Sequence, residues 1–171
     1  AMVREADAAG AQFIMTPEYT AMMDGSGRTM RETARDEAEH PALAAFRALA
    51  VETKAWLLVG SLTVTTGEER IANRSFLISD AGAVVARYDK IHMFDVTLPD
   101  GRAIRESGAY RPGDRVVIAA TPWGRLGMTI CYDVRFPGPY RALAQAGADF
   151  LSVPSAFTAQ TGPAHWHALL R

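Results

Sequence analysis

Apolar and polar positions along this chain follow two different periods. Short apolar or alternating runs read as strands: Phe13-Ile14-Met15 stopped by Pro17, then 56–64, 71–79 and 84–88, and later 115–121, 125–131 and 149–153, the last a buried strand ended by Pro154. Other stretches carry helical spacing. In 40–54, Leu43, Phe46, Leu49 and Ala50 fall on one face, and 137–146 reads as a helix closed by Gly147. Turns are expected at 66–69, at Asp80-Ala81-Gly82 and at Trp123-Gly124. Residues 20–36 and 95–113 lack either period and read as long loops, a class of segment that often carries function. Strands with helices between them imply a layered α/β domain whose helices cover its sheets.

Both ends break inside an element. Residues 1–9, with Val3 and Ala6 on one side and Gly10 after them, read as the tail of a helix. Residues 163–171 open a helix with Pro in its first turn and present Trp166, Leu169 and Leu170 as a stripe, but meet no stop signal. The expectation is a single domain spanning 1–171 and incomplete at both ends.

Composition narrows the function classes. Eighteen Lys+Arg against 19 Asp+Glu leave a net charge of −1 in 171 residues, which offers no electrostatic footprint for nucleic acid. With 49% hydrophobic residues the chain is not intrinsically disordered. No apolar run approaches the ~18–20 residues that cross a bilayer. A single cysteine, Cys131, admits no intrachain disulfide, and a reducing, cytoplasmic setting is expected. No basic stretch followed by an apolar run opens the chain, so no signal peptide is expected.

Three reactive side chains share one kind of position. Glu18 follows the strand 13–15, Lys90 follows 84–88 and Cys131 closes 125–130. Ligands of open α/β sheets bind beyond the carboxyl ends of strands. A lone cysteine there is usually a small buried hydrophobe and a lone Glu or Lys is usually solvated, so the coincidence of three carries the reading. The chemistry is coherent. A thiol attacks as thiolate and needs a base or a nearby positive charge. Glu18 would take the proton, and Lys90 would favour the thiolate and then the oxyanion, with the backbone N–H of Tyr132 as a second donor. A thioester would form and be hydrolysed by water.

His92, near Lys90 in sequence, offers a competing Cys–His pair. His165 and His167 are two apart on an expected helix and point to different faces, so no metal site is expected. Gly25-Ser26-Gly27 lies in a polar loop without the flanking strand and helix of a phosphate loop, and no Gly-x-Ser-x-Gly elbow is present.

At these residues the sequence resembles the nitrilase, or carbon–nitrogen hydrolase, superfamily. The matching segments are Thr16-Pro17-Glu18, Lys90-Ile91-His92-Met93-Phe94-Asp95, Cys131-Tyr132-Asp133-Val134-Arg135-Phe136-Pro137, and Pro154-Ser155-Ala156-Phe157 continuing through Thr161-Gly162-Pro163-Ala164-His165-Trp166. The last two are most similar to the Nit-type amidases. The resemblance implies a Glu–Lys–Cys triad of Glu18, Lys90 and Cys131. It also implies a second glutamate, matched by Glu106 in Arg105-Glu106-Ser107, which on its residues alone reads as a solvated loop carboxylate. The implied fold is an α-β-β-α four-layer sandwich. The implied assembly is a homodimer or larger homo-oligomer through the helices 137–146 and 163–171. No cofactor is implied. The family domain is nearer ~250 residues, so a first strand before Ala1 and last strands after Arg171 are expected to be missing.

Tyr132-Asp133 stands where true nitrilases usually carry Trp-Glu, which favours amide over nitrile hydrolysis. Nit-type members act on ω-amides of dicarboxylic acids and on deaminated glutathione, so a small carboxamide is the expected substrate. Arg135 would pair with a substrate carboxylate, or else form a structural ion pair with Asp133 or Glu18. Tyr19, Phe157 and Thr158 would line the pocket. Gly138 and Thr16 depart from the common Glu and Leu of the family without touching the triad. Alternatives are a nitrilase or thiol acyltransferase on the same triad, or a catalytically inactive piece completed by a partner.

Overall fold

A computed structural model describes residues 1–24, 27–98 and 100–171 of the chain. The expected phosphate-loop test at Gly25 and Ser26 therefore lies outside the described residues.

Helix α1 (Met2–Ala8) ends as its sequence suggests, with Gly10 at φ +89° just beyond it. Strand β1 (Phe13–Met15) follows, then helices α2 (Gly27–Thr33) and α3 (Pro41–Thr53), and strands β2 (Trp56–Val64), β3 (Ala72–Ile78) and β4 (Val84–Asp89). The order β1-β2-β3-β4 makes one sheet, with β1 parallel to β2 and the other pairs antiparallel. Short strands β5 (Asp95–Thr97) and β6 (Ala103–Arg105) pair only with each other. A second sheet has β7 (Val117–Thr121), β8 (Gly124–Met128) and β9 (Phe150–Ser152) in that order, and helix α4 (Pro137–Gln145) connects the parallel pair β8 and β9. Helix α5 (Gly162–Leu169) closes the described chain.

Four layers result. Val3 of α1 and Leu43 and Ala50 of α3 pack on Leu57, Val59, Phe76 and Ile78 of the first sheet. The opposite face of that sheet, with Leu58, Leu77 and Tyr88, meets Ala119, Leu126 and Met128 of the second. Leu143 of α4 covers the second sheet at Gly127, where a Cβ would lie 3.2 Å from its methyl. This is the expected α-β-β-α sandwich.

Strand β2 explains how the first sheet serves both a core and a site. Its register slips between Val59 and Leu62. Before the slip, the odd positions Leu57 and Val59 face α3; after it, the even positions Leu62 and Val64 do. A one-residue bulge reverses the parity of a period-two strand. Ser61 and Thr63 are thereby released from that core, and the Ser61 hydroxyl accepts from the N–H of Tyr19 at 2.9 Å. Gly60 sits at the slip, where its N–H donates to Thr16 Oγ1 at 2.9 Å. A Cβ on Gly60 would lie 2.1 Å from the Thr16 carbonyl oxygen and 2.4 Å from that of Pro17. Gly60→Ala is therefore expected to push the 16–18 segment off β2, cost about 1–3 kcal/mol in thermal or chemical unfolding, and lower activity with it.

Four expectations need correction. Residues 20–36 are not a continuous loop: α2 forms within them because Met30 and Ala34 bury against Ile71, Ala109 and Tyr110. The span 95–113 contains the β5–β6 hairpin and a turn of 3-10 helix at Glu106–Gly108, too short for sequence periodicity to register. Strand β8 ends at Met128, so Cys131 opens a 3-10 turn (Cys131–Arg135) rather than closing a strand. Among the described residues strand β9 pairs with β8 alone, and its Leu151 is exposed rather than buried.

Candidate active site

Strands β1, β4, β8 and β9 all deliver their carboxyl ends to one cavity of about 490 Å³. Glu18 enters from beyond β1 and Lys90 from beyond β4. Cys131 lies beyond β8, and Ala156, Phe157 and Thr158 beyond β9. The β5–β6 hairpin overhangs it and leads directly into Glu106. Every site residue expected from the sequence, including Tyr19, Tyr132 and Arg135, lines this cavity.

Lys90 is 2% exposed and is surrounded by carboxylates. Its Nζ donates to Glu18 Oε1 at 2.9 Å and to Glu106 Oε2 and Oε1 at 2.9 and 3.1 Å. Burial alone would lower the ammonium's pKa; the charges of Glu18 and Glu106 outweigh it and hold the group above its ordinary value. Glu18 is 4% exposed and takes two further bonds, from Asn73 Nδ2 at 2.9 Å and from the Ala156 N–H at 3.1 Å. Glu106 is not the solvated loop carboxylate its sequence context suggests. Besides Lys90 it accepts from Tyr19 Oη at 2.8 Å, from the Phe94 N–H at 2.6 Å and from Asn73 Nδ2 at 3.3 Å.

Cys131 adopts φ +47° and Tyr19 φ +54°, two of the three non-glycine residues with positive φ among the described residues. Such backbone costs about 1–2 kcal/mol per residue and persists where the surroundings over-determine it. At Cys131 the surroundings are identifiable. Its N–H donates to the Pro154 carbonyl at 2.9 Å. The turn beyond it is fixed by Asp133, which is fully buried and accepts from the Ile130 N–H at 2.9 Å, Tyr88 Oη at 2.7 Å, and the N–H and Nδ1 of His92 at 2.9 and 2.8 Å. The thiol lines the same cavity as Glu18, Lys90 and Ala156. Burial first, and then the charge of Glu18, push its pKa up to about 12, against the opposing pull of Lys90.

The competing Cys–His pair is not formed. The His92 ring is held by Asp133 and stacks on Phe136 with centroids 3.7 Å apart, outside the cavity wall. Arg135 pairs with neither Asp133 nor Glu18. Its guanidinium lies over the rings of Tyr132 and Phe157, at 5.4 and 5.7 Å, and bonds His165 at 2.8 Å. Among the described residues no three His, Cys, Asp or Glu side chains gather as metal ligands would. No helix among them is long and apolar enough to cross a membrane.

Sequence reasoning missed Asn73 and Asp133. Asn73 is a buried amide near the start of strand β3, where Asn is depleted, and that mismatch is the signal that would have found it. The sequence marks Asp133 as an ion-pair partner and as half of the Tyr132-Asp133 pair, and not as the buried acceptor that fixes the Cys131 turn.

Known proteins share this architecture. The structure superposes on NitFhit of Caenorhabditis elegans with a TM-score of 0.86 over 98% of this chain and 41% of that one, at 32% identity. It superposes on Nit3 of Saccharomyces cerevisiae, a member of branch 10 of the nitrilase superfamily, with a TM-score of 0.84 over 98% of this chain and 60% of that one, at 26% identity. In sequence it is 45% identical over 166 residues, 95% of this chain and 57% of the relative, to a deaminated glutathione amidase of Yersinia enterocolitica. The chain spans about half the length of the curated relatives it matches. The family model of the carbon-nitrogen hydrolases matches residues 1–171, every position that carries the two sheets and the cavity between their strand ends. The chain belongs to the carbon–nitrogen hydrolase family.

Proposed function

We propose that this chain carries the catalytic centre of an amidase that hydrolyses a small carboxamide to a carboxylic acid and ammonia through a thioester on Cys131. One observation carries the reading: Lys90 is locked between Glu18 and Glu106, and all three line one cavity together with the Cys131 thiol.

Each group has a role that its contacts support. Glu18 is the general base: it takes the thiol proton as sulfur attacks the amide carbon. The oxyanion forms beside the Lys90 ammonium and the N–H of Tyr132, which no carbonyl among the described residues accepts. Collapse expels the amine, which takes the proton from Glu18 and leaves as ammonia. Water, deprotonated by the same carboxylate, then cleaves the thioester and returns the proton to sulfur. Glu106 keeps Lys90 aimed, and Tyr19 keeps Glu106 in place through its hydroxyl. At the other end of the cavity Arg135 offers its charge to a carboxylate on the substrate, with Phe157 and Thr158 forming the wall beside it. The similarity to a protein named deaminated glutathione amidase supports an acid-bearing amide.

A homodimer or larger assembly through α4 and α5 and a cytoplasmic location complete the proposal; α5 has no buried residue, which leaves its surface open to a partner. The test is product analysis on the intact protein. A monoamide of a dicarboxylic acid should yield equimolar ammonia and diacid, with an acyl mass adduct on Cys131 after rapid acid quench. Ammonia only from the corresponding nitrile, or acyl transfer to an added amine in place of hydrolysis, would instead assign the site to a nitrilase or a thiol acyltransferase.

A further inference from the structure

Arg135 is anchored without being neutralised. No Asp or Glu forms an ion pair with it among the described residues. Its Nε is buried and has no acceptor, and its charge lies between the faces of Tyr132 and Phe157 at the cavity wall. Among the described residues, the one polar side chain that bonds it is His165, from α5, whose Nδ1 is 2.8 Å from Arg135 Nη2. A guanidinium can only donate, so Nδ1 is the acceptor and the imidazole is neutral, with its proton on Nε2. The helix presenting His165 is pinned by Trp166, whose ring meets Phe157 edge-on at 5.2 Å. The same Phe157 thus braces both the guanidinium and the helix that supplies its acceptor.

A carboxylate in place of His165 would aim Arg135 equally well but would cancel its charge and compete with an incoming anion. A neutral acceptor fixes the direction of the guanidinium and leaves its charge for the ligand. We propose that His165 is a specificity-determining positioning residue: it orients Arg135 toward the carboxylate of an acid-bearing amide and so sets the preference for such amides over neutral ones. This rests on the proposed amidase reading and on Arg135 as the carboxylate partner within it.

The experiment compares a dicarboxylic acid monoamide with the chain-matched neutral amide on the intact protein, in wild type, His165→Phe, His165→Asn and Arg135→Gln. Loss of an acceptor on a charged group should raise KM for the acid monoamide about tenfold in His165→Phe, with kcat within about twofold and the neutral amide unaffected. His165→Asn, whose Oδ1 can stand in for Nδ1, should restore most of the preference, an effect a merely structural histidine would not show. His165→Ala carries the expectation of the Phe variant should the larger ring prevent folding. If Arg135→Gln abolishes the preference while His165→Phe and His165→Ala leave it intact, the role of His165 is overturned and that of Arg135 stands. Equal losses on both substrates in the His165 variants also overturn it. If Arg135→Gln itself leaves the preference unchanged, the carboxylate reading of Arg135 fails with it.

Discussion

Cys131→Ala is expected to reduce ammonia release by on the order of 10⁴-fold or more, the scale on which removal of a covalent nucleophile acts in other hydrolases. The size follows from how little the site leaves to chance. The thiol's pKa is pushed from 9.0 to about 12 by burial and by Glu18, with Lys90 pulling the other way. Burial thus favours the neutral thiol at neutral pH, and in the proposed mechanism proton transfer to Glu18 accompanies attack. Cys131→Ser should be similarly inactive, because a hydroxyl is harder still to deprotonate. Neither variant should unfold: alanine and serine meet the same cost at φ +47°, and the lost side chain is small. The thiol also contributes to stability with a definite sign. Its folded pKa lies above its unfolded one, so the contribution is complete below about pH 9 and is lost as pH rises toward 12. The alanine variant should lack that alkaline decline. Retention of more than about a tenth of the wild-type turnover by a folded Cys131→Ala protein would remove Cys131 from the mechanism.

Much of this centre is legible in the sequence because strand ends are. Phe13-Ile14-Met15 before Pro17, and the apolar 84–88 before Lys90, announce where a strand stops, and the residue just past the stop is where α/β sheets place their chemistry. Glu106 is different. It follows a hairpin of two three-residue strands, below the length at which alternation can be read, and its burial depends on bonds from Tyr19, Asn73, Phe94 and Lys90 that come from three separate segments. Only the family resemblance singled it out.

What stayed hidden is the support beneath the reactive groups. Asp133 lies two residues after Cys131, and the sequence suggests an ion pair with Arg135 two residues further on. The 3-10 turn instead points it inward, onto Tyr88 and His92, and sends Arg135 outward to His165. Neighbours in sequence were separated by the pitch of a short helix whose existence no periodicity signals. The bulge in β2 was hidden for a related reason. Trp56 through Val64 reads as one apolar strand, and a slip in pairing leaves the composition unchanged while exchanging which residues face the core.

Lys90→Met should cost both stability and activity. The ammonium makes three hydrogen bonds to two carboxylates from a position 2% exposed. Methionine fills similar volume but leaves Glu18 and Glu106 facing each other, bridged only by Asn73 Nδ2 at 2.9 and 3.3 Å. Breaking a buried pair in this way typically costs about 3–5 kcal/mol near neutral pH. In the wild type the lysine's folded pKa is raised, because Glu18 and Glu106 outweigh the effect of burial. Its contribution is therefore present at every pH below its unfolded value of about 10.4 and is lost only in strong alkali. In the variant the two carboxylates face each other with no counter-charge between them. Urea unfolding at pH 7 should show the variant less stable by about 3–5 kcal/mol. Activity should fall by on the order of 10²–10³-fold, since the oxyanion loses its charged donor and Glu18 loses the cation that holds it in place. Lys90→Arg should not rescue it, because the planar fork is too large for a space walled by two carboxylates and tuned to a compact ammonium. A urea midpoint at pH 7 indistinguishable from that of the wild type would mean that Glu18 and Glu106 do not share a buried cation, and the assignment of Glu18 as the base would lose its electrostatic foundation.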